Sequence, residues 1–352
     1  MIGFSGSIFG RAVNAAAIAG LASVAIAQGV APGPGPAVAP AAGVNQAEMQ
    51  RRQDEQNRRP DNIGTGKFAA MKEEVASLPA HVVYRPANLD AMGRMKLGVV
   101  AWGNGGCSPD GASSRFHLLE IASHGYLVIA NGRILSGPGA PPREPRQPGA
   151  GAPGAPGAGP GAAPSTTASQ LTDAIDWAMK ENARKGGPFY QRIDPKQIAV
   201  AGFSCGGIQA IAVADDPRLA TIVMQNTGLM AKGTTSMGGM TMEKSQLQKV
   251  HTPIIYILGG PSDIAYVNGM DDFQKINNLP VAVANLGNVG HGGSYAEENG
   301  GRAAQAAVKW LDWSLRGNAE AGKWFVGANC TLCVDSGWKF ESKNLDKVRA
   351  RR

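Results

Sequence analysis

A serine lies among glycines in the segment Gly202-Phe203-Ser204-Cys205-Gly206. This segment follows a short apolar run at residues 198–201 and precedes an apolar helical pattern, which predicts a tight turn between a strand and a helix. Small neighbours allow strand and helix to approach closely, and the N–H groups of the helix then point at the reacting carbonyl. Ser204 is therefore the candidate nucleophile, with an incidental Gly-Ser turn as the alternative.

A serine hydroxyl is a weak nucleophile and needs a base, and the chain contains five histidines. His81 precedes a strand ahead of the main sheet, and His251 precedes a strand at the end opposite to that where parallel sheets carry their sites. His117 and His124 belong to a helical pattern. His291 alone follows a predicted strand, in a loop with glycines on both sides. We therefore expect His291 to be the base.

A carboxylate is expected to orient that imidazole and to stabilise its charged form. Asp263 follows the strand pattern of residues 253–258 through Gly-Gly-Pro-Ser, which gives the order Ser, Asp, His along the chain. Asp271 and Asp272 compete for this role. They come later, at what reads as the start of a helix, where solvated carboxylates are common. Asp263 is the preferred third member.

An oxyanion formed at Ser204 needs two backbone N–H donors. One is expected from Cys205, the residue after the nucleophile. The other is expected from the loop at 103–107, which follows the first core strand and resembles the HGGG-type loop of esterases. Within that loop Asn104 and Gly105 are equally good candidates.

Several apolar residues lie close in sequence to these candidates. Trp102, Phe203 and Tyr266 are interpreted as lining a substrate pocket, although packing in the core would explain each of them as well. A methionine-rich stretch follows the predicted strand at 220–224 and suits an adaptable acyl-binding wall, with a plain loop as the alternative. Its methionines are Met230, Met237, Met240 and Met242.

The elements that must position these residues alternate between short apolar strands and helices. Such alternation predicts an α/β fold with a mostly parallel, doubly wound sheet that carries helices on both faces. A final helix is predicted at residues 303–315. The predicted core strands are residues 97–102, 126–130, 198–201, 220–224, 254–258 and 281–285.

Residues 67–315 together resemble the α/β-hydrolase superfamily, in particular its dienelactone hydrolase and cutinase-like polyester hydrolase branch. The resemblance implies a serine esterase that forms an acyl-enzyme without a metal or a cofactor and acts on a small-molecule or polymeric ester. Dienelactone hydrolases carry a cysteine nucleophile where this chain has Ser204, which argues against their lactone substrate. An acyltransferase or peptidase on the same triad and a non-catalytic domain that binds a cell-envelope ligand remain alternatives.

Four cysteines allow three complete pairings. Cys330 and Cys333 form a C-x-x-C pair after the last predicted helix, and no other Cys or His lies close enough in sequence for a zinc site, so a local disulfide is expected. Cys107 and Cys205 lie in loops at neighbouring strand ends of a doubly wound sheet, so we predict a disulfide across the oxyanion hole. Two free thiols or a bond from Cys107 to Cys330 are the alternatives.

The N-terminal residues predict export. Arg11 precedes an apolar run at 12–26 that ends in Ala25-Ile26-Ala27, which is typical of a signal peptide over residues 1–27. We expect a periplasmic or secreted protein without a membrane span. A net charge of +7 comes without basic runs interleaved with aromatics, so no nucleic-acid partner is expected.

Composition divides the rest of the chain. Residues 28–60 are first rich in Pro and Ala and then polar, which is typical of a linker. Residues 61–340 are expected to form the hydrolase domain, with a disordered Pro/Gly/Ala insert at about 136–164. Residues 341–352 are interpreted as a basic tail.

Overall fold

A computed structural model describes residue 51 and residues 54–142 and 165–349. The predicted signal peptide, most of the predicted linker, and residues 143–164 of the predicted insert lie outside the described residues. None of the described helices is both long and apolar enough to cross a membrane.

One large sheet of nine strands runs through the described part of the chain, in the order β1-β2-β4-β3-β5-β6-β9-β10-β11. Two short strands, β7 and β8, form a separate antiparallel hairpin. The strands are β1 Ala70–Glu73, β2 His81–Pro86, β3 Leu97–Gly103, β4 Tyr126–Asn131, β5 Ile193–Phe203, β6 Thr221–Gln225, β7 Thr235–Met237, β8 Met240–Met242, β9 Ile254–Leu258, β10 Val281–Leu286 and β11 Trp338–Lys343.

Six strands in the middle of the sheet, from β4 to β10, are parallel, while β1, β2 and β11 are antiparallel at the two edges. The progression of the chain across the sheet reverses between β3 and β5, which are direct neighbours. This confirms the predicted mostly parallel, doubly wound sheet. Loops that follow β3 and β5 therefore meet at the switch point.

Helices cover both faces of the sheet. On one face α2, α3 and α4 pack against side chains such as Val99, and on the other α1 and α5 pack against side chains such as Val100. Because both faces are covered, the central strands are apolar over most of their length. The helices are α1 Arg115–Ser123, α2 Ser169–Ala183, α3 Cys205–Ala212, α4 Tyr266–Lys275, α5 Gly301–Arg316, α6 Ala319–Gly322 and α7 Thr331–Val334.

The sheet continues beyond residue 340, where a basic tail was expected to begin. Strand β11 pairs with β10 along its whole length, and Leu345 and Val348 behind it are buried. Lysines and a glutamate alternate with Trp338 and Phe340 in this strand. Such charges protect an exposed sheet edge, and they also make an edge strand look like a solvated tail in the sequence.

Candidate active site

Ser204 lies at the tip of the turn between β5 and α3, with backbone angles of φ 52° and ψ −119°. This left-handed conformation is unfavourable for a side-chain-bearing residue and is typical of functional turns. Glycine is required at positions 202 and 206 because neighbouring backbone leaves no room for a Cβ atom. A Cβ on Gly202 would lie 2.3 Å from the backbone of Gly206, and a Cβ on Gly206 would lie 1.9 Å from the carbonyl oxygen of Gly103.

The three residues predicted to form the triad are adjacent in space. Ser204 Oγ lies 3.0 Å from His291 Nε2, and His291 Nδ1 lies 2.7 Å from Asp263 Oδ1. A carboxylate can only accept, so Nδ1 carries the proton and Nε2 is left to accept from the serine hydroxyl. The three residues follow β5, β9 and β10, at the carboxyl ends of parallel strands.

Asp263 is buried, and its two oxygens accept hydrogen bonds from four groups. Oδ1 accepts from His291 and from the Ala265 N–H at 2.9 Å, and Oδ2 accepts from the Gly259 N–H at 3.1 Å and from Asn226 Nδ2 at 2.8 Å. Burial alone would raise the pKa of Asp263, but these hydrogen bonds outweigh it and hold the pKa below its usual range. The group is thus an ionised carboxylate that faces the imidazole.

The competing carboxylates lie in a different environment. Asp271 and Asp272 occupy the second half of α4 rather than its start, and Asp272 is buried, so the interpretation of Asp272 as solvated was wrong. Asp272 pairs with Lys244 and accepts from the N–H of Leu229 at 2.9 Å. Burial raises the pKa of Asp272 to about 6. Among the described residues no hydrogen bond or ion pair joins Asp272 to His291, whose carboxylate partner is Asp263.

The loop after β3 meets the nucleophile turn, and a disulfide joins them. Cys107 and Cys205 are bonded, with their Cα atoms 5.2 Å apart, as predicted. Asn104 directly follows β3, and its side chain donates to the carbonyl oxygens of Ser108 and Asn131 at 2.9 and 2.6 Å. The Nδ2 group of Asn104 is therefore already bonded to these two carbonyl oxygens. The donor that Asn104 can offer to an oxyanion is its backbone N–H.

Gly105 lies against the nucleophile turn as well. A Cβ at this position would lie 2.4 Å from the ring of Phe203. The backbone N–H groups of Cys205, Asn104 and Gly105 all remain candidates for the oxyanion hole.

The three expected pocket residues have different surroundings. The ring of Phe203 is partly exposed and its centroid lies 5.1 Å from that of His291, so Phe203 borders the site. Tyr266 begins α4 and packs, partly buried, against the core. Trp102 is fully buried and contacts the rings of His117 and Tyr295, so it packs in the core, which is the alternative that the sequence left open. The alternation of side chains along β3 turns Trp102 toward α1 and α5.

The methionine-rich stretch forms the β7–β8 hairpin, whose tip packs on the Cys107–Cys205 disulfide. A Cβ on Gly238 would lie only 2.4 Å from Cys107 Sγ and 3.0 Å from Cys205 Sγ. Met237, beside this glycine, is 45% exposed. The hairpin is thereby held next to the residue that follows the nucleophile.

Other apolar side chains close to the triad in sequence are also exposed. Ile264 directly follows Asp263 and is 79% exposed, and Val289 lies two residues before His291 and is 46% exposed. Large apolar groups on a surface in contact with water mark interaction sites more often than chance when they cluster. Here they lie in the two loops that carry Asp263 and His291.

Two buried polar residues at the site were not singled out from the sequence. Asn226 follows β6 directly and donates to Asp263, and the hydroxyl of Tyr295 lies 3.1 Å from Asn226 Oδ1. The position of Asn226 at the carboxyl end of a core strand is a signal that could have identified it. Tyr295 carries no such signal, since it lies nine residues after the end of β10.

Comparisons with known proteins add no assignment. No protein-family model and no curated protein sequence matches the chain. The interpretation of the site rests on its geometry and chemistry.

Proposed function

We propose that this chain is a serine hydrolase of the α/β-hydrolase superfamily that cleaves carboxylic esters through an acyl-enzyme intermediate. The observation that carries the proposal is the continuous hydrogen-bonded series from Ser204 through His291 to the buried Asp263, with distances of 3.0 and 2.7 Å. A nucleophile, a base and a group that orients the base have the required contacts in the required order.

The reaction follows from the polarity of these bonds. Ser204 Oγ attacks the ester carbonyl while its proton moves to His291 Nε2, and Asp263 stabilises the imidazolium that forms. His291 then returns the proton to the departing alkoxide, which leaves as the alcohol. A water molecule, deprotonated by His291, attacks the acyl group, and collapse of the second intermediate releases the acid and restores Ser204.

Negative charge develops on the carbonyl oxygen in both steps. The N–H of Cys205 at the start of α3, together with the N–H of Asn104 or Gly105, would bind that oxygen. The Cys107–Cys205 disulfide ties the two loops that carry these donors. Donors that are already in place need no reorganisation in the transition state, which is the source of their catalytic effect.

The surroundings of the triad favour an ester with an apolar part. Ile264 and Val289 are exposed in the loops that carry Asp263 and His291. Met237 is exposed in the hairpin that packs on the Cys107–Cys205 disulfide, and Phe203 packs beside His291. Such side chains would contact the acyl chain or the alcohol of the substrate, whether this is a small ester or a polymer.

We further propose that the protein acts outside the cytoplasm, in the periplasm or after secretion. All four cysteines are paired in disulfides, Cys107 with Cys205 and Cys330 with Cys333. Disulfides persist in oxidising compartments and are rare in the cytosol. This agrees with the export signal that the sequence predicts at residues 1–27.

A series of p-nitrophenyl esters, from acetate to palmitate, tests the activity and reports the preferred acyl length. Ser204→Ala is expected to lower kcat by about 10⁴-fold or more without changing the melting temperature. His291→Ala should do much the same, and the two losses should not add, because both residues act in one step. Ser113→Ala, at an exposed serine outside the loops that carry the triad, is the matched control and should stay within about two-fold of the wild type.

Near-normal hydrolysis by the Ser204→Ala variant would show that the nucleophile is assigned incorrectly. A wild-type protein that hydrolyses no ester of the series would contradict the proposed reaction class.

A further inference from the structure

Asn226 connects three loops at the carboxyl edge of the sheet. It is 2% exposed and adopts a left-handed backbone conformation, with φ 46°. Its N–H donates to the carbonyl oxygen of Ile257 in β9 at 2.8 Å. Its side chain contacts Asp263, in the loop after β9, and Gly290, in the loop after β10. The residue therefore touches both loops that bring Asp263 and His291 together.

The chemistry of its neighbours determines which way the amide of Asn226 points. Asp263 Oδ2 at 2.8 Å and the carbonyl oxygen of Gly290 at 3.3 Å are both acceptors, so the NH₂ group faces them. The amide oxygen then faces the hydroxyl of Tyr295 at 3.1 Å. Each polar atom of the side chain has a partner of the opposite kind.

Tyr295 supports Asn226 from behind. Burial raises the pKa of Tyr295 well above its ordinary value, so its hydroxyl keeps its proton and can donate. Its single proton is shared between two acceptors within hydrogen-bonding distance, Gln225 Oε1 and Asn226 Oδ1. Gln225 Nε2 in turn lies 2.8 Å from His117 Nε2, and burial lowers the pKa of His117 to about 3, so that ring is neutral. An uncharged polar network thus lies behind the carboxylate.

We infer that Asn226, anchored by Tyr295, is a positioning residue for catalysis: it fixes the carboxylate of Asp263 relative to the loop that carries His291. This inference rests on the proposed function, because positioning matters only if the triad reacts.

The other donors to Asp263 do not perform this task. Gly259 and Ala265 donate from the backbone of the same loop that carries Asp263, so their bonds hold the carboxylate within its own loop. Asn226 belongs to a different loop and also bonds to Gly290, next to His291. Loss of its side chain would remove the bond that holds Asp263 Oδ2 to the rest of the edge, and the carboxylate and the imidazole would then be held together by fewer contacts, chiefly their own bond and the one from the Gly290 N–H to the Gly259 carbonyl. Small displacements of catalytic groups lower rates by up to about 100-fold.

The test is Asn226→Ala with Asn285→Ala as a matched control. Asn285 is also a buried asparagine at the end of a core strand, but its amide contacts the sulfur of Met270 rather than the triad. Asn226→Ala is expected to lower kcat for a p-nitrophenyl ester by about 10- to 100-fold with KM within about three-fold. Asn285→Ala should leave kcat within about two-fold of the wild type, even if both variants lose similar stability.

A spectroscopic signal separates positioning from general destabilisation. The proton on His291 Nδ1, hydrogen-bonded to Asp263, should give a downfield NMR resonance that broadens or shifts in Asn226→Ala and is unchanged in Asn285→Ala. Tyr295→Phe removes one hydroxyl and keeps the ring, so it offers a second variant if Asn226→Ala does not fold. It should lower kcat by about three- to ten-fold and move the same resonance in the same direction.

An Asn226→Ala variant with the kcat of Asn285→Ala and an unshifted resonance would overturn the inference while leaving the proposed function intact. If the wild type hydrolysed no ester, the proposed function would fail instead, and the resonance alone would decide whether Asn226 positions the carboxylate.

Discussion

Two disulfide-bonded regions of the molecule differ in how their backbone is built. At the carboxyl edge of the sheet, Cys107 and Cys205 join segments 98 residues apart, and both Cys107 and Ser204 have positive φ angles. In the C-terminal region, residues 319–348, Cys330 and Cys333 are three residues apart, and the non-glycine residue with a positive φ is Asn344, a type that tolerates it. Backbone strain is thus concentrated at the edge.

The two regions also differ in the pairing of their buried polar atoms and in their aromatic packing. Near the edge, the buried atoms Trp102 Nε1 and His117 Nδ1 have no hydrogen-bond partner among the described residues, whereas no such atom lies within 319–348. The C-terminal region instead packs regularly, with Phe325 stacked on Trp313 at an interplanar angle of 12°. The two regions therefore differ in backbone strain and in the pairing of buried polar atoms, as expected if the edge has the catalytic role proposed above.

Two aspartates give the largest contrast between the regions. Asp263 accepts from His291 and from backbone N–H groups, and Asp335 accepts from Arg302 and from the N–H of Gly337. Asp263→Asn is expected to lower kcat by about 10³- to 10⁴-fold, because an amide no longer holds the imidazole in the required tautomer. Asp335→Asn should leave kcat within about two-fold. Ester hydrolysis by both variants checks this, and equal losses would remove the distinction between the regions.

The next largest difference between the two regions is expected when each disulfide is removed in turn. The double variant Cys107→Ser/Cys205→Ser should lose about 5 kcal/mol of unfolding free energy, because the bond closes a loop of about 100 residues in the unfolded chain, and kcat should fall by about 10- to 100-fold. The Cys330–Cys333 bond closes a much shorter loop. Cys330→Ser/Cys333→Ser should therefore lose about 2 kcal/mol of unfolding free energy, with kcat unchanged.

Denaturant titration and ester hydrolysis measure both quantities for the two double variants. A variant without Cys107 and Cys205 that keeps full kcat after correction for its folded fraction would mean that the bond only stabilises the fold.

A smaller effect, on the unfolding free energy, is expected at acidic pH. The hydrogen bonds to Asp263 hold its pKa below the usual range despite burial, so its stabilising effect is present above about pH 4 and is lost as the pH falls through the folded-state pKa. The unfolding free energy of the wild type should therefore fall as the pH drops below about 4, and that of Asp263→Asn should fall less steeply. Chemical denaturation at a series of pH values checks this, and parallel slopes would contradict it.

The positions of the central strands and the proximity of Ser204, Asp263 and His291 could be predicted from the sequence because each depends on local pattern. Runs of apolar residues mark buried parallel strands, and residues that follow such strands meet at one edge of the sheet. Ser204, Asp263 and His291 each follow a strand of this kind. The same rule placed Cys107 and Cys205 in adjacent loops, and the disulfide between them is confirmed.

What could not be predicted depends on orientation and long-range contact. Trp102 lies one residue before the end of β3, and only the register of the strand shows that it faces the core. Asp272 looked solvated because Lys244, its partner, is 28 residues away in the chain. The support of Asn226 by Tyr295 joins two loops 69 residues apart. None of these contacts leaves a periodic pattern in the sequence.

The most direct test of the central claim, that Ser204 is an activated nucleophile, is labelling with a fluorophosphonate followed by peptide mass spectrometry. The folded wild-type protein should carry one adduct, on the peptide that contains Ser204, and the Ser204→Ala and His291→Ala variants should carry none. Asp335→Asn, folded and with an intact triad, should label as fast as the wild type. Absence of labelling in the wild type, or an adduct on another serine, would contradict the account.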